Sequence, residues 1–305
     1  MAGIDVTKII DREAEAEIFA GMLRCDTPRR VLVVSDKNGM GKSVLLRRLR
    51  YLCDYIHDIP VALIPFEEFT SRPDLFAIIR PLRKDLSAGG VAFPIFDDLN
   101  LARTFRDTAR FSERLRSVQG AVDLRGARVS GPARVAGTLF DIGRAENVNV
   151  TPPPWDEEAE STARARCIEV FLGDLMTCSQ ERPVVLLFDT VEQASEELRR
   201  WLFLELVHKR VLLDWKRHKL IVVLAGQGVA ELLEGRLRPE HRECIEPIAS
   251  LSSWGLLHVD QFLKVHGFNT LDQTQIAFIH RALGEGHTLT YALALAKVLV
   301  SEETA

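Results

Sequence analysis

The stretch "VVSDKNGMGKS", residues 33–43, decides the fold. Its end matches the phosphate-binding loop pattern G-x-x-x-x-G-K-[ST], with Gly41, Lys42 and Ser43 in the last three positions. Asp36 stands where the pattern has its first glycine, and an aspartate tolerates the turn geometry of that position. An apolar run precedes the loop and an amphipathic segment follows it, as the strand–loop–helix setting requires. The alternative is a plain glycine turn before a helix.

Phosphate binding requires backbone N–H groups around the anion, a lysine for the terminal phosphates and a hydroxyl at the helix N-terminus for Mg²⁺. Gly39 and Gly41 give the room, Lys42 the charge and Ser43 the hydroxyl. We therefore expect a nucleotide, ATP or ADP, together with Mg²⁺. The candidate nucleotide contacts in this segment are Asn38, Gly39, Met40, Gly41, Lys42, Ser43 and Val44.

A second segment, "VVLLFDTVEQ", ends an apolar strand at Asp189. Ligands of open α/β sheets bind at the carboxyl ends of the strands, and Mg²⁺ needs a carboxylate beside the loop hydroxyl. Ser43 and Asp189 are therefore the predicted metal ligands. Glu192 is the nearest acid able to orient or deprotonate an attacking water. Its alternative is a solvated residue, or a first-turn acid that favours the helix dipole.

The rest of the chain alternates apolar strands with amphipathic helices, which predicts an α/β fold with a parallel sheet covered on both faces. Further strand candidates are "PVALIPF", "KLIVVLAG" and the short "CIEPI"; a helix follows the first of them and is interrupted at Pro81. Residues 193–213 predict a long helix. A helix at about 158–179 is expected to bury Ile168, Phe171, Leu172 and Leu175. We expect a P-loop ATPase core over residues 1–250, with an insertion at about 86–157, and a small all-helical domain over 251–305.

Composition narrows the function classes. The 305 residues are 47% hydrophobic, with a net charge of −4 and a pI near 6.1, which argues against a general nucleic-acid coat but leaves room for a local basic patch. We expect no membrane association, because no apolar run approaches spanning length. The five cysteines are scattered without CxxC spacing, so buried reduced thiols in a cytoplasmic protein are expected rather than a zinc site.

Taken together, these segments resemble a signal-transducing P-loop NTPase of the STAND class, close to AAA+ ATPases. The resemblance rests on "IIDREAEAEIF", "NGMGKS", "LLFDTVE", "VVLAGQG" and the terminal helices. It implies that Ile10, Asp11 and Arg12, ahead of the first strand, wrap the adenine. It also implies that Gln227, after the strand that follows Asp189, is a polar sensor of the γ-phosphate. Gln227 could instead cap the helix "GVAELLEG".

The resemblance further implies that the terminal helical domain is a lid over the nucleotide. The lid's Gly-x-Pro motif corresponds to Gly286 and His287, with Thr288 in place of proline, so His287 is a candidate nucleotide contact. His287 could instead be an ordinary helix N-terminal residue. Thr190 follows Asp189 where AAA+ proteins have their catalytic glutamate, a departure that predicts slow hydrolysis. The candidate catalytic residues are Lys42, Asp189, Glu192 and Gln227.

Three functions follow. The first is an ATP-binding, slowly hydrolysing switch that transmits its nucleotide state to a protein partner or effector in trans, with a homo-oligomer left open. Relatives of this kind serve bacterial signalling or antiphage defence. The second is a nucleic-acid-handling ATPase, suggested by the basic stretch "HKRVLLDWKRHK", residues 208–219. Cations at a helix C-terminus explain that stretch equally well. The third is a scaffold that binds nucleotide without hydrolysing it.

Overall fold

A computed structural model describes residues 12–37, 40–69, 75–101, 157–235, 238–249, 251, 255–284 and 289–303. The chain divides into two compact units. The first is Met1–Pro94 with Val170–Ala305, and the second is Ile95–Glu169. The first unit contains the loop, the sheet and the C-terminal helices. Of the second unit, the structure describes residues 95–101 and 157–169. The predicted division into core, insertion and lid stays a prediction.

The first unit is built on a parallel sheet. Its strands are β1 (Val31–Ser35), β2 (Val61–Pro65), β3 (Val184–Asp189), β4 (Leu220–Gly226) and β5 (Ile245–Ile248). They lie in the order β2-β3-β4-β1-β5, and every neighbouring pair is parallel. β1, β3 and β4 are buried along their whole length, which explains why their sequences are continuous apolar runs.

Helices connect the strands. Their bounds are α1 (Glu13–Leu23), α2 (Lys42–Tyr51), α3 (Leu75–Ala88), α4 (described over 94–101), α5 (Glu157–Glu181), α6 (Glu196–Arg200), α7 (Val229–Glu234), α8 (Leu256–Val265), α9 (Gln273–Gly284) and α10 (Leu289–Glu303). α2 continues as a π-helical turn over Leu52–His57, and α6 continues as a longer π-helical segment over Trp201–Leu212. The predicted α/β fold, a parallel-sheet core followed by a helical group, is confirmed.

Among the described residues of this unit, two apolar clusters can be distinguished. One lies between the sheet and α1 and α2, and includes Phe19, Val34 and Leu45. The other belongs to α8–α10 and includes Val259, Leu263 and Ile279. The helical group therefore has a core of its own, as the three amphipathic segments predicted. All five cysteines are free thiols.

Three local predictions were wrong. α3 runs through Pro81 without interruption, because Ile78, Ile79, Leu82 and Leu86 are buried on both sides of the proline. The predicted helix over 193–213 begins at Glu196, where the Ser195 side chain accepts the Leu198 N–H. In α5, Phe171, Leu172 and Leu175 are buried as predicted, but Ile168 is half-exposed and Cys167 is buried instead.

Candidate nucleotide-binding site

The loop after β1 leads directly into α2. Gly41 is the N-cap of this helix and has φ 90°, a left-handed conformation that favours glycine. The first-turn N–H groups of Lys42, Ser43 and Val44 precede the intrahelical hydrogen bonds, so they are free to bind an anion. Met40 packs beside the apolar cluster of the sheet. Asn38 and Gly39 lie outside the described residues.

Lys42 is 6% exposed and its ammonium is aimed back at the loop. It donates to the carbonyl oxygens of Asp36 and Lys37, each at 2.7 Å. Among the described residues these carbonyls take two of the three N–H donors, so a third can reach a phosphate oxygen. Burial lowers the pKa of Lys42, and the carboxylates of Glu192, Asp36 and Asp189 oppose that shift. The lysine therefore lies among acids that favour its charged form.

Asp189 ends β3 and is 6% exposed. Burial raises its pKa, while hydrogen bonds from the Ser43 side chain and the Thr190 backbone lower it; the charge of Glu67 raises it and that of Lys42 lowers it. The Thr190 N–H donates to Asp189 Oδ1 at 2.9 Å. The two predicted metal ligands, Ser43 and Asp189, thus lie beside each other. A hydroxyl and a carboxylate oxygen are ligands that suit Mg²⁺.

Thr190 adopts φ 51°, a left-handed conformation that is rare for a β-branched residue. Its hydroxyl accepts a hydrogen bond from the Glu67 N–H at 3.3 Å. Strained backbone of this kind clusters at functional sites. Glu67 follows β2, the strand next to β3, and sequence reasoning missed it. The signal was present, because Glu67 follows an apolar strand as Asp189 ends one.

Glu192 lies in a short 3-10 turn, Val191–Gln193, ahead of the start of α6. It is therefore not a first-turn acid of that helix. Its Oε2 is buried and, among the described residues, has no hydrogen-bond partner. The carboxylate lies against Gly226 at the end of β4, where a Cβ would overlap it and the Val229 side chain. Gly226 is the second residue that sequence reasoning missed, since only the tertiary contact shows why it is glycine.

Gln227 directly follows β4, the strand that separates β1 from β3 in the sheet. It is exposed, and the N-cap of α7 is Gly228, without a side-chain cap. The alternative that Gln227 caps this helix is therefore wrong. Its position places it at the sheet edge between the loop strand and the Asp189 strand. The sensor role stays a prediction.

Arg12 is the described member of the segment expected to wrap the adenine. It is 2% exposed, forms an ion pair with Glu15 at 3.8 Å, and donates to the Met40 carbonyl at 3.1 Å. These bonds brace the loop from α1. Ile10 and Asp11 lie outside the described residues, as do Gly286, His287 and Thr288, so the adenine and lid contacts stay predictions.

The basic stretch 208–219 lies at the other end of the sheet strands, because it directly precedes the start of β4. Lys209 bonds to Glu205 within one helical turn at 2.8 Å, and Arg217 pairs with Asp214 at 3.5 Å. Lys219 donates to the Glu181 carbonyl at 3.0 Å. These local pairs agree with the alternative that the basic residues are cations at a helix C-terminus. The stretch is also remote from the phosphate-binding loop.

No protein-family profile matches the sequence, and no curated protein sequence matches it. The solved structures with a similar backbone include an ORC2 protein and a Cdc6p protein. The Aeropyrum pernix ORC2 protein, in ADPNP–ADP complexes, has 11% identity and a TM-score of 0.43, covering 88% of this chain and 55% of that one. Cdc6p from Pyrobaculum aerophilum has 11% identity and a TM-score of 0.45, with 91% and 58% covered. The chain thus spans little more than half of either protein, and at this similarity no ligand, residue role or partner carries over.

No helix in the described part of the chain is long and apolar enough to cross a membrane.

Proposed function

We propose that this chain is an ATP-binding, slowly hydrolysing switch of the STAND and AAA+-like type. The observation that supports this best is the contact between the Ser43 hydroxyl and Asp189, beside the buried Lys42. Two segments far apart in sequence, the loop at Lys42 and Ser43 and the end of β3 at Asp189, bring an ammonium, a hydroxyl and a carboxylate to one edge of the sheet. These are the groups that phosphates and Mg²⁺ require.

In this proposal the N–H groups at the start of α2 and the Lys42 ammonium bind the phosphates of ATP or ADP. Ser43 and Asp189, the Walker A hydroxyl and the Walker B carboxylate, would hold Mg²⁺. The metal supplies charge neutralisation at the phosphate oxygens. Glu192 orients or deprotonates the attacking water, since its carboxylate is held beside Lys42 and Gly226. Arg12 and Gln227 support the loop and sense the terminal phosphate.

Slow turnover follows from Thr190. It occupies the position of the catalytic glutamate of AAA+ relatives, and its hydroxyl is engaged with the Glu67 N–H. The role of the base then falls to Glu192 alone, three residues after Asp189. A site with one carboxylate to orient the water suits a switch that holds its nucleotide for long periods.

The helical group α8–α10 acts in this proposal as a lid whose position depends on the nucleotide. The output passes to a protein partner or effector in trans, in the cytoplasm, in bacterial signalling or antiphage defence. A second copy of the chain could be that partner. A population shift between two lid positions requires that ATP and ADP differ in their contacts with the lid.

The test is isothermal titration of ATP with Lys42→Ala. Removal of the ammonium is expected to weaken binding about 100-fold or more, because charged hydrogen bonds to the phosphates are lost. Lys37→Ala is the matched control, since Lys37 is an exposed lysine in the same loop and its carbonyl is kept. Unchanged affinity in a folded Lys42→Ala variant would contradict the proposal.

Two further measurements separate the alternatives. The absence of any phosphate release, with neither a burst nor a steady-state phase, would favour the non-hydrolysing scaffold. A salt-dependent shift of labelled DNA by the wild-type chain would favour the nucleic-acid-handling ATPase. The expected result is slow, continuous phosphate release and no shift.

A further inference from the structure

Asp36, which replaces the first glycine of the loop pattern, makes contacts with three parts of the molecule. Its carboxylate accepts hydrogen bonds from the Lys37 N–H at 2.7 Å and from the Leu251 N–H at 2.8 Å. Its own N–H donates to the Gly226 carbonyl at 3.4 Å. Its carbonyl accepts from the Lys42 ammonium. We call the two bonds of the carboxylate the Asp36 bridge.

The partner of the bridge is remote in sequence and adjacent in the sheet. β1 and β5 are parallel neighbours, with Val34 opposite Ile248, so the loop after β1 and the segment after β5 leave the sheet at the same edge. Leu251 is 2% exposed and belongs to the apolar cluster of the sheet. The helical group begins a few residues later, at Leu256. Leu251 is therefore in the connection between the sheet and that group.

The chemistry of the bridge requires an aspartate. The carboxylate offers two acceptor oxygens, and each takes one N–H. An asparagine has an NH2 donor in place of one of these oxygens, so it can face only one of the two N–H groups with an acceptor, and a glycine offers no side-chain acceptor. A buried N–H that loses its acceptor is costly, so the position of Leu251 depends on the carboxylate of a residue in the phosphate-binding loop.

We propose that Asp36 couples the nucleotide loop to the helical group through its bond to the Leu251 N–H. This rests on the proposed nucleotide-binding function and adds a positioning residue to it. Phosphate oxygens at the loop compete for the Lys42 ammonium, which the Asp36 carbonyl also uses. Their negative charge repels the Asp36 carboxylate and drives it towards its two N–H donors. Bound nucleotide therefore tightens the bridge and restrains the connection to α8.

The bridge has a direct reporter, which is hydrogen exchange at the Leu251 amide resolved to the single residue. Without nucleotide, Asp36→Asn and Asp36→Gly are expected to speed this exchange about tenfold or more relative to wild type, because the charged acceptor is lost. Asp214→Asn is the matched control, removing the same charge at a surface ion pair. Unchanged exchange in a variant that melts like the wild type would overturn the bridge.

The coupling is tested by repeating the measurement with ADP and with AMP-PNP. We expect nucleotide to slow Leu251 exchange several-fold in the wild type and to leave it unchanged in Asp36→Gly. The nucleotide affinity of Asp36→Gly is titrated first, and both proteins are compared at saturating nucleotide. Equal slowing in both proteins, or none in the wild type, would overturn the coupling. A wild type that fails to bind nucleotide in titration would instead contradict the proposed function, while the nucleotide-free comparison still decides whether the bridge exists.

Discussion

At the scale of single residues, the contact between Glu192 and Gly226 allows a test of the proposal that Glu192 orients or deprotonates the attacking water. Gly226→Ala places a Cβ where the Glu192 carboxylate and the Val229 side chain lie, so the carboxylate must move. We expect turnover to fall about as far as in Glu192→Gln, by roughly 10²–10⁴-fold for loss of a general base, with nucleotide affinity largely kept. Phosphate release under saturating ATP is the measurement.

Gly173→Ala is the matched control for that substitution. Gly173 is in α5 with nothing within 4 Å of a built Cβ, so alanine there should leave turnover unchanged and stabilise the helix by about 0.5–1 kcal/mol. A double variant of Gly226→Ala and Glu192→Gln should turn over no more slowly than Glu192→Gln alone. Additive losses would mean that Gly226 acts on something other than Glu192.

The proposed role of Asp189 as a metal ligand predicts how nucleotide affinity depends on Mg²⁺. Asp189→Asn removes the charge that would bind Mg²⁺ beside Ser43, so nucleotide affinity with Mg²⁺ should fall about tenfold or more. Affinity measured in EDTA should change far less, because the phosphate contacts of Lys42 and the helix N–H groups remain. Titration in both buffers is the experiment. Equal losses in the two buffers would assign Asp189 a structural role.

At the scale of elements, α3 contains a proline that its packing overrides. Pro81 has no N–H to donate to the Ala77 carbonyl, yet buried residues on both sides hold the helix to its full length. Pro81→Ala restores that donor and should raise stability by about 1–2 kcal/mol, after allowance for the greater freedom of the unfolded chain. Chemical denaturation is the measurement. Lower stability would show that the ring itself fills space against β2.

At the scale of the whole molecule, the segment between α3 and α5 is expected to be separable from the nucleotide site. α3 packs on β2, and α5 leads into β3, while β4 separates β3 from β1 in the sheet. Residues 120–150 contain few large apolar side chains, namely Leu124, Leu139, Phe140 and Ile142. Removal of a long loop also changes the closure entropy little.

Replacement of about residues 120–150 by a short flexible linker should therefore keep ATP affinity, and the melting temperature should stay within about 2 °C. Partner binding should suffer instead, because long insertions in compact domains are usually functional. Melting with and without Mg·ATP is the measurement. Loss of nucleotide stabilisation would show that the segment belongs to the ATPase core.

The sequence by itself determined the strands, most of the helices and the place of the loop between β1 and α2. β1, β3 and β4 are continuous apolar runs, and Gly41, Lys42 and Ser43 fill adjacent positions of one pattern, so local chemistry was enough to predict them. Asp189 was predictable because it ends such a run. The short strand β5 and the three C-terminal helices were likewise predicted from the pattern of apolar residues. Each of these features depends on neighbours along the chain.

Only the tertiary structure decided how the residues at the sheet edge meet. In the strand order β2-β3-β4-β1-β5, Glu67 lies near Asp189 and the Glu192 carboxylate contacts Gly226. The same order places the segment after β5 beside the loop after β1. The sequence contains no periodic pattern that would predict these contacts, because each contact depends on which strands are paired. Asp36 is the clearest case. In the sequence it is a tolerated replacement of a glycine, and in the fold its carboxylate receives the Leu251 N–H from 215 residues away.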